Sequence, residues 1–225
     1  MKDVSFKDFD ILSEQDKAEA VALVQRYDQL EVQDGCQGDF ISFIKHMWPD
    51  FIEGRHHKII ANKFNKIADG KLKRLIVCLP PRHSKSEFAS TFFPAWMMGR
   101  RGNLKIIQTT HTAELAVRFG RKVRNIIDST EYQHIFPDLK LQADNKSAGR
   151  WTSNQEGEFF AAGVGGAITG RGADLLIIDD PHSEQDALSP KALESAYEWY
   201  TSGPRQRLQP GGIIVIVMTR WSTKD

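Results

Sequence analysis

Two short apolar runs, Leu75 to Leu79 and Leu175 to Ile178, dominate the pattern of this 225-residue chain. Each is free of polar positions, as a strand buried on both faces should be, and each is followed by a short polar segment. Strand-like and helix-like periods then alternate. The pattern predicts a strand over 75–79, a helix from 86 to about 98, a strand over 104–108, a helix from about 113 to 128, and a strand over 213–218. In the second of these helices Leu115, Phe119, Val123, Ile126 and Ile127 form one apolar stripe. This is βαβ order, so the expected fold is α/β with a mainly parallel central sheet flanked by helices.

Upstream the period is helical. Ser13 and an acidic first turn predict a helix from Glu14 to about Tyr27, and Asp39 predicts a cap for a second, stopped by Pro49. A third is expected from about His56 to Asp69, with Ile60, Phe64 and Ile67 on one face and Gly70 as its C-terminal cap. Residues 1–54 read as an N-terminal helical appendage and 55–225 as the core. The segment 131–172 is less regular, with Phe159-Phe160 the only strand-like pair and glycines at 163, 165, 166, 170 and 172. Ser189 and Pro190 open a further helix, as a capping residue and a first-turn proline do.

Composition narrows the partners. Thirty Lys and Arg against 29 Asp and Glu give no global field for steering onto nucleic acid, so any DNA contact must be local. With only Cys36, placed in a loop, and Cys78, inside a strand, a reduced intracellular protein without disulfides or structural zinc is expected. The longest apolar run, Ile213 to Met218, falls far short of the roughly 20 residues of a membrane helix. No signal peptide is expected at the N-terminus, and a soluble, cytoplasmic protein is expected.

The chemistry sits after the two apolar runs. Pro80-Pro-Arg-His-Ser-Lys-Ser86 links a strand to a helix start, where backbone N–H groups and the helix N-terminus suit polyphosphate. Lys85 would contact the phosphates, Pro81, Arg82, His83, Ser84 and Ser86 would line the loop, and the Ser86 hydroxyl would serve Mg²⁺. Leu79 and Ser84 stand where the glycines of G-x-x-x-x-G-K-[ST] belong, so Ser84 must accept a backbone geometry that glycine takes more readily. A proline turn carrying exposed basic residues is the alternative. The order of elements favours the phosphate loop, because the second run delivers Asp179 and Asp180 to the C-terminal end of a strand, the Walker B arrangement. Asp179 is the metal-holding carboxylate of that reading and Asp180 the group that polarises water.

The stretches Leu79 to Ser86, Gly163 to Gly172, Leu175 to Pro181, Glu198 to Tyr200 and Thr219 to Trp221, in that order, resemble the large terminase subunit of tailed bacteriophages. The resemblance implies an additional-strand P-loop ATPase that uses ATP and Mg²⁺ to pump double-stranded DNA through a portal protein into a procapsid. It implies a homo-oligomeric ring, a companion small terminase subunit, no membrane, and a place in the cytoplasm of the infected bacterial host. Family members usually carry a C-terminal nuclease, and this sequence matches only the motor part. By the same resemblance Arg82 senses the γ-phosphate, Arg171 is a trans-acting finger, Thr219 couples phosphate state to DNA grip, and the surroundings of His57 read adenine. Asp180 departs from the glutamate common at its position, which shortens its reach.

Arg118, Arg121, Lys122, Arg205 and Arg207 are either DNA-phosphate contacts or a solvated charged face. A helicase-like DNA-dependent ATPase and a non-hydrolysing nucleotide-binding docking module are the competing readings. Paired carboxylates argue against the second, since binding alone needs one.

Overall fold

The computed structural model describes residues 13–168 and 170–223, so residues 1–12 of the expected appendage, Thr169 and the last two residues lie outside the described residues. Seven strands form one sheet: β1 (Arg74–Cys78), β2 (Lys105–Thr110), β3 (Leu141–Lys146), β4 (Arg150–Ser153), β5 (Glu158–Gly163), β6 (Ala173–Asp179) and β7 (Leu208–Met218). Their order is β1-β7-β6-β2-β5-β4-β3. The five strands from β1 to β5 in that order pair in parallel, and β4 and β3 extend the sheet antiparallel. The mainly parallel α/β fold expected from the sequence is thus the observed one. β7, last in the chain, is the strand inserted between β1 and β6.

Strand alternation divides the core in two. Ile106, Leu175, Ile177, Val215 and Val217 face the larger cluster, whereas Ile107, Leu176, Ile178 and Ile214 face the smaller. The larger cluster is closed by α1 (Glu14–Gly38), α2 (Phe40–Met47), α3 (Arg55–Ala68), α4 (Phe93–Arg100), α5 (Ala113–Ile127) and α6 (Thr130–Ile135). The second face carries α7 (Pro190–Ser202), with Trp199 and Tyr200 packed against the smaller cluster. That helix does not cover β1, so Ile76 is 64% exposed and Val77 alone of that strand is buried. β1 is therefore an edge strand with one open face, not the doubly buried strand its apolar run suggested. Among the described residues no helix is long and apolar enough to cross a membrane.

Phe40 joins the N-terminal helices to the helix that follows the β1 loop. Its ring stands edge-on to Phe64, Phe88 and Trp96 at centroid distances of 5.1, 5.6 and 5.3 Å, and Phe64 stacks on Phe93 at 4.0 Å. The expected division at residue 54 falls inside this aromatic cluster. α1 also runs past the expected end near Tyr27, because no proline or glycine interrupts it before Gly35. Cys36 is consequently helical and buried, not in a loop, and its carbonyl accepts from Trp96 Nε1 at 2.8 Å. Asp39 caps α2 as expected, accepting from Ser42 N–H at 2.9 Å. Gly70 ends α3 with φ +75°. The irregular 131–172 segment holds β5 where Phe159-Phe160 pointed, but also α6, β3 and β4, whose short periods gave no clear signal.

The helix expected over 86–98 is not uniform. Glu87–Phe92 forms a π-helical turn, with Phe93 N–H donating to Phe88 O, before α4 begins. Pro94 supplies the cause: it has no N–H for the Ser90 carbonyl, and its ring needs that carbonyl moved aside, which a wider turn allows.

Phe40→Ala should destabilise the chain by about 3–5 kcal/mol in urea unfolding, the usual result of removing a buried aromatic ring. One cooperative transition should move as a whole. A variant in which only N-terminal signals shift would instead show that the helices before residue 54 fold apart from the sheet.

Candidate active site

The loop after β1 keeps strand pairing for one residue, with Leu79 N–H donating to Met218 O at 3.2 Å. It then turns sharply. Arg82 and Ser84 take φ of 63° and 59°, the left-handed region that non-glycine residues enter at a cost of about 1–3 kcal/mol. Ser84 thus accepts the geometry expected where the motif has glycine. Leu79, at the other glycine position, stays out of that region and Arg82 takes the strain instead. His83 Nδ1–H braces the turn by donating to Pro81 O at 2.9 Å. Lys85 and Ser86 open the helix, and the N–H groups of Ser84, Lys85 and Ser86 donate to no backbone carbonyl among the described residues. A strained loop with orphan amides at a helix start has the backbone geometry that anions suit.

β7 brings the carboxylates to this loop. Asp180 N–H donates to Val217 O at 2.8 Å and Asp180 itself has φ 40°, so the chain bends away directly after β6. Its Oδ1 accepts from Thr219 N–H at 2.7 Å and its Oδ2 pairs with Lys85 Nζ at 2.9 Å. Ser86 Oγ donates to Asp179 Oδ1 at 3.0 Å. Asp179 is 2% exposed, and its Oδ2 is buried with no hydrogen-bond partner. Burial pushes its pKa up to about 6, and the neighbouring Asp180 charge pushes the same way. The hydroxyls of Ser90 and Ser86 and the charge of Lys85 oppose this.

Four of the expected residues, Lys85, Ser86, Asp179 and Asp180, therefore meet at one point, and the backbone of Thr219 joins them. Arg82 and His83 are exposed on the loop. His57 is 6% exposed and acts first as a cap: its Nδ1 accepts from Gly54 N–H at 2.9 Å. It lies between Phe51 and Phe88, at ring distances of 4.8 and 4.9 Å. Burial, then His56, lowers its pKa, so the ring is neutral and Nε2 carries the proton. It reaches the loop only through His56, whose ring is 3.8 Å from His57 and 5.6 Å from His83.

Arg171 is not brought to the site. It precedes β6, at the opposite edge of the sheet, with its guanidinium 4.0 Å from the Phe160 ring centroid and 3.7 Å from Glu158 Oε2. Seven residues of β6 separate it from Asp180, roughly 20 Å of extended chain. Within its own chain it cannot touch a phosphate on the loop. Lys122 is also committed, to Glu87 and the face of Phe119.

Would these groups suit Mg²⁺? Among the described residues no three His, Cys, Asp or Glu side chains converge to cage a metal. Mg²⁺ does not need such a cage, since it takes one or two carboxylates together with substrate phosphates and waters. A buried aspartate with one unpaired oxygen, bonded to a hydroxyl beside a phosphate loop, fits that requirement.

Fold and site together give a mainly parallel α/β sheet in which β7 stands between the strand that leads into the loop and the strand that ends in the carboxylates. No protein-family model matches the chain, and no curated protein does. Among solved structures, the HK97 bacteriophage large terminase is similar, with 11% identity and a TM-score of 0.49. The match covers 75% of this chain and 33% of that one, so the chain spans about a third of that protein's length. A likeness of this degree says nothing of activity.

Sequence reasoning missed Ser90, whose signal was Pro94 four residues on. It also missed Gln108, buried on β2 with both amide ends unpaired.

Asp179 has a folded pKa of about 6 against 3.8 for an ordinary aspartate. The folded state therefore holds its proton longer, and stability of the ligand-free protein falls as pH rises between those values. Asp179→Asn should remove that fall and raise the melting temperature at pH 7.5. Equal melting curves for variant and wild type from pH 4 to 7.5 would contradict the strained carboxylate.

Proposed function

We propose that this chain is a Mg²⁺-dependent ATPase, the motor domain of a large terminase subunit that drives double-stranded DNA into a procapsid. The observation that carries it is the convergence of Lys85, Ser86, Asp179 and Asp180 at the C-terminal edge of β1, β7 and β6. The ordered motifs that resemble the terminase family support the finer reading.

Lys85 is neutralised by Asp180 in the ligand-free protein. Phosphate oxygens seated against the amides of Ser84 to Ser86 compete for that ammonium and draw it away. Asp180 Oδ2 is then released to take a proton from the attacking water, while Oδ1 stays on Thr219 N–H. The end of β7 is thus tied to the group whose partner changes with phosphate state, a physical basis for coupling at Thr219. Ser86 and Asp179 would hold Mg²⁺, which when bound neutralises charge on the β- and γ-phosphates. Arg82, exposed on the loop, would meet the γ-phosphate.

Arg171 acts on a neighbour's phosphates in a homo-oligomeric ring, a reading that its distance from the loop of its own chain supports. The portal protein and small terminase subunit are the partners of such a ring, in the cytoplasm of the infected host. Arg118 and Arg121, exposed on α5, and Arg205 and Arg207, in the turn before β7, are the basic groups offered to DNA phosphates. Lys122 leaves that set because of its pairing with Glu87.

Lys85→Ala should abolish ATP binding measured by calorimetry. Asp180→Asn should bind ATP at least as tightly as wild type, because Lys85 is freed, yet lose about 10²–10⁴ in turnover. Equal turnover would remove the general-base role. Arg171→Ala should bind ATP normally and lose about 10³–10⁵ of the turnover gained on ring assembly. Wild-type turnover in the assembled variant would exclude the finger. Stimulation by single-stranded but not double-stranded DNA would favour the helicase-like reading.

A further inference from the structure

We infer that Ser90 is a positioning residue for Asp179, turned toward it by the proline-driven π-helical turn; this rests on the reading of Asp179 as the Mg²⁺-holding carboxylate. Ser86 occupies only Oδ1 of that side chain. Oδ2 is shut away from solvent with no partner, and a buried carboxylate oxygen left so is costly. The hydroxyl of Ser90 is the complementary orphan. Ser90 is 0% exposed, its Oγ has no partner, and it lies close enough to Asp179 to favour the charged form, although not in hydrogen-bonding geometry.

Ser90 lies one turn beyond Ser86, whose Oγ already meets Asp179, so a rotation about the Ser90 Cα–Cβ bond would turn its hydroxyl toward the same carboxylate. Ser90 Oγ would take one lone pair of Oδ2 and leave the other for the metal, so the carboxylate plane stays held when the Ser86 hydroxyl turns to Mg²⁺. The Ser86 hydroxyl must also serve the metal, so Ser90 is the partner with no second duty. The unpaired ends of Gln108 mark the same sheet face as polar, since Gln108 is paired with Ile177, two residues before Asp179. An unbroken α-helix would set Ser90 at a different angle to β6, which gives the wide turn ahead of Pro94 a use at the site.

The test compares wild type, Ser90→Ala, Ser90→Thr and Thr91→Ala for Mg²⁺-dependent ADP binding, ATP turnover and melting temperature. Thr91 is the control, a buried hydroxyl of the same turn that is likewise unpaired. Ser90→Ala should raise the Mg²⁺ concentration for half-maximal ADP binding by about 10-fold, the scale of losing a group that orients a metal ligand. Its turnover at limiting Mg²⁺ should fall in step. Ser90→Thr should restore both, and Thr91→Ala should leave the Mg²⁺ requirement unchanged. A wild-type Mg²⁺ requirement in Ser90→Ala, no rescue by threonine, or an equal shift in Thr91→Ala would overturn the positioning role alone. Wild-type protein whose ADP binding ignores Mg²⁺ would overturn the assignment of Asp179, and this inference with it.

Discussion

The ion pair between Lys85 and Asp180 is the contact on which the site depends. Its two members follow strands that are not neighbours: Lys85 comes after β1, Asp180 directly after β6, and β7 lies between those strands. Residues on both sides are held by hydrogen bonds to that middle strand, Leu79 through Met218 and Asp180 through Val217 and Thr219. The pair closes a bridge across β7, and whatever breaks it is felt at the end of that strand. Lys85 is 8% exposed and Asp180 27%, so the bond is only partly screened by solvent.

The surroundings carry strain that suits a site poised for a ligand. Arg82, Ser84 and Asp180 all hold left-handed backbone, and Asp179 and Ser90 bury polar atoms without partners. A fold tolerates such features where the neighbouring structure over-determines them. Here the aromatic cluster around Phe40, Phe64 and Phe93 anchors one side, and the doubly buried strands β6 and β7 anchor the other.

Much of this was legible in the sequence. The apolar runs of β6 and β7 announced buried parallel strands, and the Lys-Ser and Asp-Asp pairs named the residues that meet. Ser84 was expected to adopt glycine-like geometry because its place in the motif demanded it. Other features were not legible, because they follow from what packs on what. β1 has as apolar a run as β6 yet is an edge strand, since exposure depends on where α7 lies. Nothing in a 25-residue helix with little periodicity said that its last turn would bond to Trp96 and Ile135. The π-helical turn was foreshadowed by Pro94, but its consequence at Ser90 required knowing which strand stood opposite. Arg171 shows the remaining limit: its motif suggested a role at the phosphates, while the sheet puts it at the other end of β6, beside Glu158 and Phe160.

In the proposed cycle phosphate takes Lys85 from Asp180. A crystal structure with Mg²⁺ and a non-hydrolysable ATP analogue tests it most directly. The account requires β- and γ-phosphates against the amides of Ser84 to Ser86, Lys85 Nζ on a phosphate oxygen, and Asp180 Oδ2 released with Oδ1 still on Thr219. A nucleotide bound away from the loop, or bound there with the Lys85–Asp180 pair intact, would contradict it.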